Sequence, residues 1–61
     1  SWVEEIEPGV FITIARDGTT GHEVLRRVRF SKRMFSDTEA TAWWTKNRAR
    51  VIRARGLKLS R

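Results

Sequence analysis

The segment SDTEATAWWTKNRARVIRARG, residues 36–56, decides the fold of this 61-residue chain, because it predicts one long helix. Ser36 and Glu39 have the spacing of a capping box, in which each side chain accepts a hydrogen bond from the other's backbone amide. Residues 40, 43, 44, 47, 51 and 54 then recur at helical spacing. Gly56 follows Arg53 and Arg55, a combination that is typical of a helix C-terminus. The sequence therefore predicts a long amphipathic helix that stops at Gly56.

The residues before the helix predict antiparallel strands. Trp2–Ile6 is a short extended segment, and Pro8-Gly9 has the composition of a type II turn. Val10–Ala15 is rich in β-branched residues, and Val10, Ile12 and Ile14 recur at every second position, which favours a strand with one apolar face. The polar loop at residues 16–21 contains two glycines and predicts a hairpin to another strand at residues 24–31.

The third predicted strand carries a concentration of arginines. Simple alternation assigns one set of its residues to the core face, namely Val24, Arg26, Val28 and Phe30. It assigns the other set to a basic outer face, namely Leu25, Arg27, Arg29 and Ser31. The predicted fold is α+β: a three-stranded antiparallel meander followed by the helix, packed on one face of the sheet. Residues 2–56 are predicted to form the domain and residues 57–61 a flexible tail.

Composition excludes several kinds of site. The chain has no cysteine and one histidine, so it has neither a disulfide nor a metal site built on thiolates or several histidines. No histidine lies near a nucleophile and no glycine motif for phosphate is present. We therefore expect no catalytic residue, no cofactor and no metal. A domain this small removes only about 60% of its unfolded surface from water, so a partner chain is its expected reinforcement.

The charge is unevenly distributed. Residues 1–24 carry five acids and one arginine, hence −4, whereas residues 25–61 carry twelve cations and two acids, hence +10; together they give +6. This asymmetry is compatible with nucleic acid, an acidic peptide or head-to-tail self-association. No apolar run approaches the roughly 20 residues of a membrane span, so no direct membrane insertion is expected. Absence of cysteine fits an intracellular protein, and the start at Ser1 without a signal-peptide pattern suggests one domain of a longer protein.

The tryptophan pair and the arginines are the candidate interaction residues. Neighbours on a helix point about 100° apart, so we expect one of Trp43 and Trp44 to be buried and the other to meet a partner. The basic strand predicts an anion-binding surface, and Arg48 has the same potential on the helix. The predicted partner-binding residues are Leu25, Arg27, Arg29, Trp43, Trp44, Arg48 and Val51. Ser31 and Ser36 follow arginines in patterns that basophilic kinases accept, although capping alone explains Ser36.

With these residues described, the chain resembles a BRX domain, the module of the plant BREVIS RADIX family that also ends plant proteins combining PH, RCC1 and FYVE domains. The first matching segments are Trp2–Glu5 and Glu7–Thr13, and the next is Leu25–Ser31. The last match comprises Phe35-Ser36, Ala40, Trp43-Trp44 and Asn47–Val51. Together the matching segments follow the same order over nearly the whole chain.

The resemblance implies a protein-interaction module of a plant signalling, polarity or trafficking protein. It implies binding to like domains or to short segments, such as the C-terminal peptide of LAZY gravitropism proteins. It also implies a parent protein at the plasma membrane or in the nucleus. We hypothesise strand addition of a partner peptide to a sheet edge, with self-association as a homodimer as another possibility. The alternative is a basic nucleic-acid-binding domain of a transcription regulator.

Overall fold

A computed structural model describes residues 1–59 of the chain. These residues form a three-stranded antiparallel meander, extended by one short parallel strand, with one helix across it, so the predicted α+β fold is confirmed. The elements in chain order are β1 (Trp2–Glu7), β2 (Val10–Arg16), β3 (Glu23–Phe30), α1 (Asp37–Arg55) and β4 (Lys58–Leu59). The sheet order is β1-β2-β3-β4; the first three strands form a meander and the last is a short addition.

The turn between β1 and β2 depends on Gly9. This glycine is buried with a φ of 82°, the left-handed conformation that the predicted turn requires. Its carbonyl accepts a hydrogen bond of 2.8 Å from the Ser31 amide, which ties the turn to the end of β3. The segment leading to α1 packs over it, because a Cβ on Gly9 would lie 2.8 Å from the Met34 sulfur and 3.2 Å from a Phe35 ring carbon. A side chain at this position is therefore disfavoured by the left-handed backbone and by the crowding of Met34 and Phe35.

The loop between β2 and β3 is organised by Asp17. Its carboxylate accepts hydrogen bonds from the backbone amides of Thr19 (2.7 Å) and Thr20 (3.4 Å). These hydrogen bonds hold the pKa of Asp17 below its ordinary value of 3.8, and the bond from the Thr19 amide has the larger effect. The predicted hairpin between the second and third strands is confirmed.

The core lies between the sheet and α1. The predicted apolar face of β2 is confirmed, since Val10, Ile12 and Ile14 are completely buried. Val51 is the buried residue of α1 and packs on this face, with Trp43 and Trp44 packed around it. The capping box at Ser36 and the left-handed Gly56 at the helix end are also confirmed. Among the described residues, no helix has the length and apolar character needed to cross a membrane.

A β-bulge changes the predicted faces of β3. Ile14 pairs with Leu25 and the adjacent Thr13 pairs with Arg27, so Arg26 is the extra residue. Simple alternation therefore fails before Arg26: Leu25 is 6% exposed and belongs to the core, and its predicted position on the outer face is wrong. Val24, predicted to face the core, instead lies opposite Ala15. After the bulge Val28 lies opposite the buried Ile12, and the alternation follows the prediction.

The segment after α1 also differs from prediction. Residues 57–59 were expected in the flexible tail, but Leu57 is 5% exposed and Lys58–Leu59 pair in parallel with Val24 and Leu25. The left-handed Gly56 reverses the chain, and the Leu57 amide donates to the Ile52 carbonyl at 3.0 Å. This reversal returns Leu57 to the core. Residues 60 and 61 of the predicted tail lie outside the described residues.

Candidate functional site

Among the described residues, the C-terminal part of β3 forms an open edge of the sheet. β4 pairs with Val24 and Leu25, where the ladder between these two strands stops. Within residues 1–59 the remaining length of β3, Arg26–Phe30, therefore has a strand neighbour on the β2 side alone. Unpaired backbone amides and carbonyls on such an edge are a template for another strand. We call Arg26–Phe30 the β3 edge.

An open groove of about 630 Å³ runs between the β3 edge and α1. Val28 and Phe30 contribute apolar surface from the strand, and Trp44 contributes it from the helix. Polar groups border it on the helix side, including Thr41 and Thr45. The groove therefore places apolar side chains directly beside unpaired backbone, which is the combination that strand addition uses.

A series of aromatic contacts forms the groove wall. The Phe30 ring meets Phe35 edge-on, with centroids 5.2 Å apart, and meets Trp43 edge-on at 5.8 Å. Trp43 in turn stacks on Trp44 at 6.5 Å with an angle of 15° between the rings. Both tryptophans are half-buried, which differs from the expected division into one buried and one exposed indole. The stacking explains this, because each indole covers one face of the other.

The face of the sheet opposite α1 forms a second, outer surface. Val3 and Phe11 give it an apolar centre, and the hollow here has a volume of about 700 Å³. Arg27 lies opposite Thr13 and Arg29 opposite Phe11, so both arginines belong to this outer face. They are exposed, and Lys32 continues the basic border beyond the end of β3.

The acids of β1 are partly neutralised by α1. Arg50 pairs with Glu7 at 2.9 Å, and Arg55 pairs with Glu4, which also accepts a hydrogen bond from the Trp2 indole. These contacts join the acidic first half of the sequence to the basic second half within one molecule. Part of the charge asymmetry in the sequence therefore forms ion pairs within the fold instead of remaining available to a partner.

The structure distributes the predicted partner-binding residues over four locations. Trp44 lines the groove, to which Leu25 and Arg27 also contribute. Arg27 and Arg29 belong to the outer face, and Arg48 is exposed one helical turn beyond Trp44. Val51 and Leu25 are buried in the core, and Trp43 packs against it and contacts Phe30. Sequence reasoning missed the groove residues Phe30, Val28, Thr41 and Thr45 as a group. On α1, the sequence signal for the groove was the spacing of Thr41, Trp44 and Thr45, because residues three and four positions apart share one face of a helix.

The two candidate phosphorylation sites have structural roles. The Ser36 hydroxyl accepts from the Glu39 amide at 3.1 Å, and the Ser31 hydroxyl accepts from the Arg33 amide at 3.3 Å. Ser36 is exposed and Ser31 half-buried; modification of either stays a prediction. Among the described residues, no group of three or more His, Cys, Asp or Glu side chains is arranged to hold a metal ion.

Comparison with known proteins agrees with the resemblance. The BRX family model, described as "Transcription factor regulating root and shoot growth via Pin3", matches residues 1–54. The chain is 58% identical over 50 residues to Protein Brevis radix-like 1 of Oryza sativa subsp. japonica. It is 54% identical over 50 residues to Protein Brevis radix-like 3 of Arabidopsis thaliana. Both alignments cover 82% of this chain but only 12% and 13% of the relatives' own lengths.

Proposed function

Because the chain belongs to the BRX family, we propose that it is a non-catalytic interaction module that binds an extended partner segment by strand addition to the β3 edge. One observation carries the proposal: the unpaired backbone of Arg26–Phe30 lies alongside an apolar groove that contains Trp44. The partner that we propose is a short C-terminal segment of a LAZY-type protein, as the family resemblance suggests.

The length of the site follows from β4. Among the described residues, β4 pairs with Val24 and Leu25 and leaves about five residues of β3, from Arg26 to Phe30, available to an added strand. Main-chain hydrogen bonds to this edge would supply affinity, and the groove would select side chains. A second copy is a poorer occupant, because pairing of two β3 edges brings arginines of both copies close together, and like charges on adjacent strands are destabilising.

The test combines mapping with substitution. We expect a synthetic LAZY-type C-terminal peptide to slow amide hydrogen exchange at Arg26–Phe30 in the unmodified domain. Trp44→Ala should weaken binding at least tenfold, the effect of a buried aromatic anchor. The matched control is Trp2→Ala, which removes a 37% exposed indole from the opposite sheet edge and should leave affinity unchanged.

Circular dichroism on each variant separates a loss of contact from a loss of fold. If the peptide slowed amide hydrogen exchange in β1 of the unmodified domain and not at the β3 edge, the proposal would be contradicted. A folded Trp44→Ala protein with unchanged affinity would contradict it as well.

Nucleic-acid binding is a second candidate, which the description of the BRX family as a transcription factor and the net charge of +6 favour. Fluorescence titration with mixed-sequence duplex DNA at 50 and 200 mM salt tests it. Several phosphate contacts would give micromolar affinity that falls steeply between these concentrations. Absence of binding at the lower salt concentration removes this candidate.

A further inference from the structure

A strand added to the β3 edge would meet a different environment on each of its faces. Successive side chains of a strand project to opposite sides of the sheet. On the α1 side, they would enter the groove formed by Val28, Phe30 and Trp44. On the outer side, they would lie beside Arg27 and Arg29, the neighbouring residues of β3 on that face.

Within residues 1–59, the arginines of the outer side have no acid on the adjacent strand, and the one acid in their cross-strand rows, Glu5 of β1, lies two strands away from Arg29. Their cross-strand neighbours on β2 are Thr13 and Phe11, so β2 offers them no carboxylate. The ion pairs formed within residues 1–59 use other arginines, at positions 16, 50 and 55. An incoming strand therefore finds two exposed guanidinium groups next to its own outward side chains.

We infer that the partner segment is an alternating strand, in which apolar side chains directed into the groove alternate with carboxylates directed at Arg27 and Arg29. This inference rests on the proposed strand addition and specifies the chemistry of its ligand. The five β3 residues that have no strand on this side in the described part of the chain accommodate two or three apolar side chains and two carboxylates. Opposite charges on adjacent strands attract, and each such pair contributes up to roughly fivefold in affinity.

Other ligand patterns fit the two faces less well. A strand that is apolar on both faces would place apolar groups beside charged guanidiniums. A strand with outward lysines would place like charges on neighbouring strands, which is destabilising. The alternating acidic pattern is the one that satisfies both faces together.

The test uses four synthetic hexapeptides with capped ends, each titrated into the whole 61-residue domain. In the first, isoleucine alternates with glutamate; in the second and third, threonine or lysine replaces glutamate. The fourth has the composition of the first, with its three isoleucines followed by its three glutamates. Chemical-shift changes at the backbone amides of Arg26–Phe30 report both affinity and location.

We expect the alternating glutamate peptide to bind about 2- to 30-fold more tightly than the threonine peptide, as two opposite-charge pairs give, and the lysine peptide to bind most weakly. The preference for glutamate over lysine should shrink in 0.5 M salt, because exposed charges are screened. In the double variant Arg27→Glu with Arg29→Glu, the ranking of the glutamate and lysine peptides should reverse.

A control variant changes the net charge equally at a distance from the edge. Lys46→Glu with Arg53→Glu alters two exposed residues that lie seven positions apart on the same side of α1. This control should keep the ranking of the unmodified domain. Circular dichroism verifies that both double variants remain folded.

Several results would overturn the inference. These are equal binding of the glutamate and lysine peptides, equal binding of the alternating and block peptides, and a reversed ranking in the Lys46/Arg53 control. If the LAZY-type peptide protects the β3 edge while glutamate gives no advantage, the inference fails and the proposed function stands. If no peptide perturbs Arg26–Phe30, both fail.

Discussion

Replacement of Gly9 by alanine tests the one glycine among the described residues at which an added Cβ would meet other atoms within 4 Å. Gly9 is buried, has a φ of 82°, and lies beneath the segment that leads from β3 into α1. An added Cβ would meet the Met34 sulfur at 2.8 Å and the Met34 Cβ at 3.3 Å, besides the Phe35 ring at 3.2 Å. The sulfur belongs to an exposed, flexible side chain that can move, whereas the other two atoms are less free to do so.

The expected loss has two parts. A left-handed conformation costs a residue with a Cβ about 1–2 kcal/mol. Crowding in a packed site adds about 1–3 kcal/mol. The combined loss of about 2–5 kcal/mol is large for a chain of this size, whose total stability is expected to be roughly 3–9 kcal/mol. The thermal midpoint should fall by at least about 10 °C.

Alanine substitutions at two other glycines distinguish the cost of the left-handed conformation from the cost of crowding. Gly21 also has a left-handed φ, 76°, but a Cβ there would meet nothing within 4 Å. Gly18 has open space and no left-handed φ. In urea unfolding, Gly21→Ala should therefore cost about 1–2 kcal/mol, and Gly18→Ala should stay within about 0.5 kcal/mol. If Gly9→Ala is no more destabilising than Gly21→Ala, the packing of Met34 and Phe35 over the turn contributes nothing and our reasoning is refuted.

Three further predictions concern stability. Leu57→Ala should cost about 2–4 kcal/mol in urea unfolding, because Leu57 is buried after the helix; a loss below about 0.5 kcal/mol would mean that this residue is not held in the core. NMR titration should give Asp17 a pKa below 3.8, because the Thr19 amide stabilises its carboxylate. That carboxylate therefore stabilises the fold above pH 3.8, and the contribution is lost as pH falls through the lowered pKa; Asp17→Ala should flatten this part of the pH profile. Ser36→Ala should cost about 1 kcal/mol and Ser36→Asp much less, since aspartate keeps an acceptor for the Glu39 amide; equal losses would exclude capping as the cause.

Local signals in the sequence predicted the helix and the first turn well. The capping box needs only residues within one turn, and a left-handed glycine can end a helix whatever surrounds it. The apolar face of β2 was equally readable, because alternation holds along that strand and one face is buried. The α+β architecture follows from these elements, since a one-sided strand and a one-sided helix must cover each other.

The candidate site was predictable only in part. Trp44 and the arginines of β3 were identified by residue type, but Leu25 was assigned to the wrong face. The bulge at Arg26 caused this error, since one inserted residue moves every side chain on one side of it to the opposite face. The residue types of Leu25-Arg26-Arg27 do not predict a bulge, because the position of the bulge depends on how β3 pairs with β2.

The sequence by itself determined where the helix begins and ends, which strand carries the apolar face, and that basic residues gather in the second half. Tertiary structure alone decided how much of β3 is left unpaired within residues 1–59, because that length depends on β4 returning to pair with Val24 and Leu25. It also decided that Trp44 borders this edge while Arg27 and Arg29 face the other side of the sheet. The physical reason is that helix capping and polarity patterns act over a few residues, whereas strand register joins segments that are far apart in the chain.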